Sequence, residues 1–262
     1  MDRSTIGRRA ERLFVWLVVA LLVVVALTVV YAGTPYHGTP ESIAAAEDDP
    51  RLSVDRAGGG YVLQPADRPP EAGVVFYPGG RVHPNAYVGS LAPLAREANV
   101  TVVIPRLPLN LAVVDYGLAE AGVVDHAADR AMADRPEISE WYVGGHSLGG
   151  AMACRYVATG AEVEGLLLYA SYCDVDLSDR DIAVVSVTGD ADGVLDRAAY
   201  ERNRGNLPPS TRVAELSRVN HTQFGSYRGQ DEPSGTSYGT AHHRLNGVVV
   251  PWLRNETVLR PN

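Results

Sequence analysis

The chain has no lysine: all 23 of its basic residues are arginine, set against 31 acidic ones, for a net charge of −8. That balance, with no basic cluster, excludes nucleic acid as a partner, because phosphate binding needs concentrated positive charge. The absence of lysine fits a salt-rich setting or a GC-rich coding bias. Only two cysteines occur, Cys154 and Cys173. They are too few for a disulfide framework and lack metal-ligand spacing, so both read as small buried apolar side chains. No internal repeat and no low-complexity tract interrupts the chain, and no metal or organic cofactor is called for.

Long apolar runs are also scarce, with one exception. Leu13 to Ala32 spans twenty residues, of which only Thr28 is conventionally polar. As a helix this run would be about 30 Å long, enough to cross a bilayer core. Arg3, Arg8, Arg9 and Arg12 precede it, against Asp2 and Glu11. After it come Glu41, Glu47, Asp48 and Asp49 before the first basic residue, Arg51. The positive-inside bias then leaves residues 1–12 in the cytoplasm and carries the rest across a cell membrane. The segment 13–32 reads as a single-pass signal anchor. The alternative is a cleaved signal peptide and a secreted product, since Val30-Tyr31-Ala32 loosely fits a small-residue cleavage pattern. Residues 33–49 read as a Gly/Pro linker and a short helix with Thr39 as N-cap and Pro40 at its first position.

Residues 50–262, in a chain 46% hydrophobic, suffice for one globular domain with a large core. Two strands are expected near 52–56 and 60–64. Short apolar strands then alternate with amphipathic helices. Strands are expected at 73–77, 100–104, 140–143, 163–169, 182–188 and 212–216. Helices are expected at 86–98, 118–134, 148–158, 196–204 and 242–254. This alternation specifies an α/β fold, a mostly parallel sheet with helices on both faces. Only Ser171–Asp181 separates the strand at 163–169 from the next, which leaves no room for a separate cap domain.

Gly145-His146-Ser147-Leu148-Gly149 matches the G-x-S-x-G pattern of a nucleophile elbow. Apolar Trp141-Tyr142-Val143 precedes it and a run of helix formers follows, so Ser147 falls on a tight strand-to-helix turn. The plain alternative is a Gly/Ser loop between two elements. A serine hydroxyl needs a base, and the base a carboxylate to orient it. In open parallel sheets such groups gather beyond the carboxyl ends of strands. Asp192 follows the strand at 182–188, and His221 follows the strand at 212–216. The order Ser147, Asp192, His221 is that of a serine–acid–histidine triad.

Each choice has a rival. Asp190 is the alternative acid, though its neighbour Gly189 suggests that it shapes the turn. Asp196 reads as a helix cap. His242 and His243 fall on the closing helix as surface or packing residues, and His126 is helical and structural. His83 sits in a loop where it is either solvated or in reach of substrate, and His37 lies in the linker. His146 shapes the site beside the serine without being the base. Acyl transfer also needs donors for an oxyanion. The Leu148 amide is one, at a helix N-terminus. The other should come from Tyr77-Pro78-Gly79-Gly80-Arg81, where Gly80 is the choice and Arg81 the rival. The stretch 222–240, rich in Gly, Ser and Tyr, reads as a flap over the site or a mobile surface loop.

These segments together resemble the α/β-hydrolase superfamily over about residues 50–255. The likeness is nearest to the small, lidless fold-5 group related to dienelactone hydrolases and carboxylesterases. It rests on Phe76-Tyr77-Pro78-Gly79-Gly80, Pro108-Leu109-Asn110-Leu111-Ala112 and Gly144-Gly145-His146-Ser147-Leu148-Gly149-Gly150. Gly189-Asp190-Ala191-Asp192-Gly193 and Asn220-His221-Thr222-Gln223-Phe224-Gly225 complete it. The resemblance implies Ser147 as nucleophile, Asp192 as acid and His221 as base. Pro78 stands where many relatives carry histidine, and serine replaces the cysteine of dienelactone hydrolases proper, so ester hydrolysis fits better than lactone opening. The expected activity is that of a membrane-anchored serine carboxylesterase acting on small or medium acyl esters. The alternatives are another acyl hydrolase or transferase, such as a thioesterase or peptidase, and a non-catalytic binding protein of the same fold.

Overall fold

The computed structural model describes residues 3–255. Helix α1 (Arg3–Gly33) leaves every residue from Glu11 to Tyr31 exposed and, among the described residues, meets the rest of the chain only at its C-terminal end, where Ala32 is buried. Its segment Glu11–Gly33 is the one helix among the described residues that is long and apolar enough to cross a membrane. Helix α2 (Pro40–Glu47) follows, entered from Thr39 with Pro40 at the first position as expected.

An eight-stranded sheet organises the remainder. Its strands are β1 (Leu52–Ala57), β2 (Gly60–Pro65), β3 (Ala72–Tyr77), β4 (Val100–Ile104), β5 (Trp141–His146), β6 (Gly165–Tyr169), β7 (Ala183–Gly189) and β8 (Arg212–Leu216). Their spatial order is β1-β2-β4-β3-β5-β6-β7-β8. The β1–β2 and β2–β4 pairs are antiparallel and all others are parallel. Strands β3, β4, β5 and β6 are buried at every residue, which explains why they read as continuous apolar runs instead of alternating ones.

Two cores result, one on each face. The first packs Val74, Phe76, Val102 and Leu167 under α2, α3 (Val88–Ala98) and α8 (Tyr238–Leu253). The second packs Val75, Val143, Leu166 and Leu168 under α4 (Ala112–Glu120), α5 (Ala127–Ala133) and α6 (Leu148–Ala158). Helix α7 (Arg197–Asn203) connects β7 to β8, with Asp196 as its N-cap: the carboxylate accepts the Ala199 amide at 2.9 Å. Cys154 and Cys173 are free and buried in the second core.

The structure corrects several expectations. The single helix expected at 118–134 is two, α4 and α5. Gly122 adopts φ +68° and closes α4, with Val123 N–H donating to the Leu118 carbonyl and Gly122 N–H to the Ala119 carbonyl, both within 2.9 Å. A left-handed glycine with this pair of bonds ends a helix, and Gly122 is the signal that was present in the sequence. The helix expected at 86–98 opens with a 3-10 turn, Pro84–Tyr87. The closing helix starts four residues earlier than expected, at Tyr238, because the Ser237 hydroxyl caps it.

The first part of the stretch 222–240 is not a surface loop. Thr222 to Tyr227 are buried, with Phe224 and Tyr227 fully inside the first core, and α8 begins within the stretch. Residues 34–39 are likewise no free linker, since Tyr36 pairs with Val82 as a parallel bridge.

Candidate active site

Ser147 joins β5 to α6 with φ 53° and ψ −124°, a backbone conformation that L-residues rarely adopt. The neighbours of the turn make it possible. A Cβ on Gly145 would lie 2.5 Å from the Gly149 carbonyl carbon, and one on Gly149 would lie 2.2 Å from the Tyr77 carbonyl oxygen. The bend therefore brings backbone against backbone, and only glycine fits at either position. The Ser171 hydroxyl steadies the turn by donating to the Ser147 carbonyl at 2.7 Å.

The structure brings Asp192 and His221 together. The His221 ring donates from Nδ1 to Asp192 Oδ2 at 2.8 Å, and both side chains are fully buried. The other carboxylate oxygen accepts the Val194 and Leu195 amides, each at 2.9 Å. Burial pushes the Asp192 carboxyl up, but His221 and these two amides outweigh it and hold the group below the ordinary carboxylate value. The ionised carboxylate fixes the proton on Nδ1, leaving Nε2 with its lone pair. That nitrogen is buried and makes no hydrogen bond among the described residues, so no bond joins it to Ser147 here. Catalytic hydrogen bonds of this kind often tighten only when substrate binds.

Asp190 takes the part of a turn residue. It is exposed, and its carboxylate accepts the Arg218 amide. The oxyanion candidates also separate. The Arg81 amide donates to the Asn110 carbonyl at 2.8 Å and is spent. The Gly80 amide makes no hydrogen bond among the described residues, and neither does that of Leu148 at the start of α6. The two lie close: a Cβ on Gly80 would sit 3.4 Å from the Leu148 side chain.

Three supporting residues escaped sequence reading. Asp231 accepts the His221 amide at 2.9 Å and the Gly193 amide at 3.1 Å, tying the histidine loop to the acid loop. The Tyr87 hydroxyl accepts the Gly79 amide at 2.9 Å and bonds His146 Nδ1 at 2.8 Å. Ser171 is the third. Each reaches the site across a long sequence separation that no local pattern reports.

His146 is buried beside the His221 ring, with centroids 4.3 Å apart, and burial, then the nearby His221, hold it well below its ordinary value. It stays neutral, packed between the His221 ring and Tyr87. His83 is held within its own loop and against His37. Its Nδ1 accepts the Asn85 amide, its ring stacks on His37 at 4.5 Å, and burial and Arg106 lower it to about 4. His242 is half-buried and bonded to the Gly225 carbonyl, His243 is exposed, and His126 flanks α5.

Tyr87 gives a measurable consequence. Tyr87→Phe leaves the buried Gly79 amide without a partner, which should cost about 1–3 kcal/mol of stability. Because Gly79 precedes Gly80, kcat should fall about tenfold or more with KM little changed. Denaturant melts and steady-state kinetics on one ester check both effects.

A cleft of about 830 Å³ lies between α2, α3 and α8. Ser147, Asp192 and His221 are absent from its lining, so it is separate from the chemistry.

Comparison with known proteins bears on the fold and the family. No curated protein matches the chain. Among solved structures, a candidate α/β hydrolase of unknown function from Agrobacterium tumefaciens superposes with a TM-score of 0.53 at 16% identity. The match covers 80% of this chain and all of that one, and it speaks for the fold alone. The alpha/beta hydrolase family matches residues 73–244, well over half the sequence. The chain belongs to the alpha/beta hydrolase family.

Proposed function

We propose that the protein is a serine carboxylesterase tethered to a cell membrane by residues 13–32. The observation that carries this reading is the buried Asp192–His221 pair, held at 2.8 Å beside the strained elbow of Ser147. A binding protein has no use for an ionised carboxylate buried against a histidine, and such a pair is costly to keep without a task. Domain boundaries follow as 1–12 cytoplasmic, 13–32 anchor, 33–49 connection and 50–262 catalytic.

In the proposed reaction His221 Nε2 takes the proton from Ser147 Oγ as that oxygen attacks the ester carbonyl. Asp192 stabilises the resulting imidazolium. The amides of Gly80 and Leu148 receive the negative charge on the carbonyl oxygen. The imidazolium then protonates the leaving alcohol, and the acyl group stays on Ser147. A water, deprotonated by the same nitrogen, releases the acid. Every proton is moved by one histidine, so neither metal nor organic cofactor enters the scheme.

A fluorophosphonate probe tests the reading. It should label the full-length protein stoichiometrically, and peptide mass spectrometry should find the adduct on Ser147. Absence of labelling together with absence of turnover across short-chain esters would count against catalysis and favour the binding-protein reading.

A further inference from the structure

The outer end of α1 is fastened to the loop that carries Gly80. Arg81 donates from Nε to the Tyr31 carbonyl at 2.8 Å and from Nη2 to the Thr34 carbonyl at 3.0 Å. Its guanidinium also lies 3.6 Å from the Tyr31 ring centroid. Asn110 donates from Nδ2 to the Ala32 carbonyl at 2.8 Å, and Ala32 is fully buried. Just beyond, the Tyr36 amide bonds the Arg81 carbonyl at 2.7 Å and the Tyr36 carbonyl accepts the His83 amide at 2.8 Å. The last carbonyls of a helix have no partner within it, and they form the negative end of its dipole. Here the catalytic domain supplies a cation and an amide for them. The span is therefore docked on the domain and does not swing on a loose connection.

The docking point lies one residue from Gly80. The Leu111 side chain, next to Asn110, would lie 3.9 Å from a Cβ on Gly80. Leu109, next to Asn110, and Val113, two residues beyond Leu111, are exposed apolar side chains beside it. Outside α1, the exposed large hydrophobic residues among those described are Leu109, Val113, Val123, Val124, Val194 and Val213. Leu109 and Val194 lie in the segments that leave the carboxyl ends of β4 and β7, the end of the sheet where Ser147 sits, and Val113 is in the first turn of α4, which starts next to Leu111. Leu109 is 39% exposed at φ 53°, a backbone setting that turns a large apolar side chain outward on a loop tip. Exposed apolar residues beside the end of a membrane-length helix mark a contact surface. Since a membrane-length helix ends on that same surface, the matching contact is lipid.

We infer that the mouth above Ser147 faces the bilayer surface, and that its substrates are amphiphilic esters whose acyl chain lies in the membrane. This rests on the esterase and anchor readings above. The ester bond of such a molecule sits at the headgroup level, where Gly80 and Leu148 would meet it. Its chain stays in the bilayer and need not enter water.

The test uses the full-length protein in phosphatidylcholine vesicles, given two esters of one alcohol, 4-methylumbelliferyl acetate and 4-methylumbelliferyl oleate. Wild type should turn over the vesicle-held oleate at least tenfold more efficiently than the dissolved acetate. The double variant Leu109→Glu, Val113→Glu puts carboxylates beside the docked end of α1, on residues that are neither triad members nor oxyanion donors. It should keep acetate turnover within twofold and lose at least tenfold on oleate. Equal rates on both esters, or equal loss of both in the variant, overturn the inference while the esterase reading stands. Protein that does not float with vesicles overturns the anchor reading and this inference with it. No turnover of either ester and no fluorophosphonate label overturns the esterase reading, and the substrate inference falls with it.

Discussion

Replacing Asp192 by asparagine should lower kcat about 10⁴-fold while the protein stays folded. The reason is the direction of one hydrogen bond. In the structure, Oδ1 of Asp192 is held by the amides of Val194 and Leu195, both donors. An asparagine must keep its oxygen on that side, so its NH₂ turns toward His221 Nδ1. Two donors cannot face each other, and the ring moves its proton to Nε2 to offer a lone pair at Nδ1. Nε2 is the nitrogen proposed to accept the Ser147 proton, and in this tautomer it cannot. Size and burial are nearly conserved, so far-UV circular dichroism should be unchanged. Esterase rates on a single ester for both proteins decide the matter. Retention of activity within tenfold would place the acid elsewhere, with Asp190 the first to test next.

The same region shows how far the sequence could be read. Ser147, Asp192 and His221 each follow a strand in a local pattern that the eye can find: a glycine-bracketed serine and two polar turns after apolar runs. The sheet was equally open to reading, because strands buried on both faces have no polar alternation to confuse them. The supports were not. Asp231 meets the His221 amide ten residues back and the Gly193 amide 38 residues back. A carboxylate in a Gly/Ser-rich stretch looks no different from a solvated one until the chain folds. That is why 222–240 reads as a flap, although Phe224 and Tyr227 anchor it in the core. The docking of Arg81 on the Tyr31 carbonyl joins residues 50 apart and has no local signature either. Gly122 was legible and was outvoted by the apolar residues around it, which made two helices read as one.

Gly149→Ala should be among the most damaging single-methyl changes in the chain. The added carbon would lie 2.2 Å from the Tyr77 carbonyl oxygen and 2.5 Å from that of Pro78. Both are backbone atoms at the end of β3, and no side-chain rotation relieves them. Either α6 moves off the sheet or the end of β3 moves. Each movement separates Leu148 from Gly80, the two amides proposed to share the oxyanion. Overpacking of this severity costs about 3 kcal/mol or more. In a domain of this size that is a Tm lower by about 10 °C, with kcat falling alongside. Gly247→Ala on α8 is the matched control, since its Cβ would meet nothing within 4 Å. Alanine there should be neutral or stabilise by up to about 1 kcal/mol, because a helix interior favours it over glycine. Thermal melts of both variants in the same detergent separate the two effects. A Gly149→Ala protein that melts with wild type would mean that the elbow yields at little cost, and only its kcat would then report how closely Leu148 and Gly80 must stand.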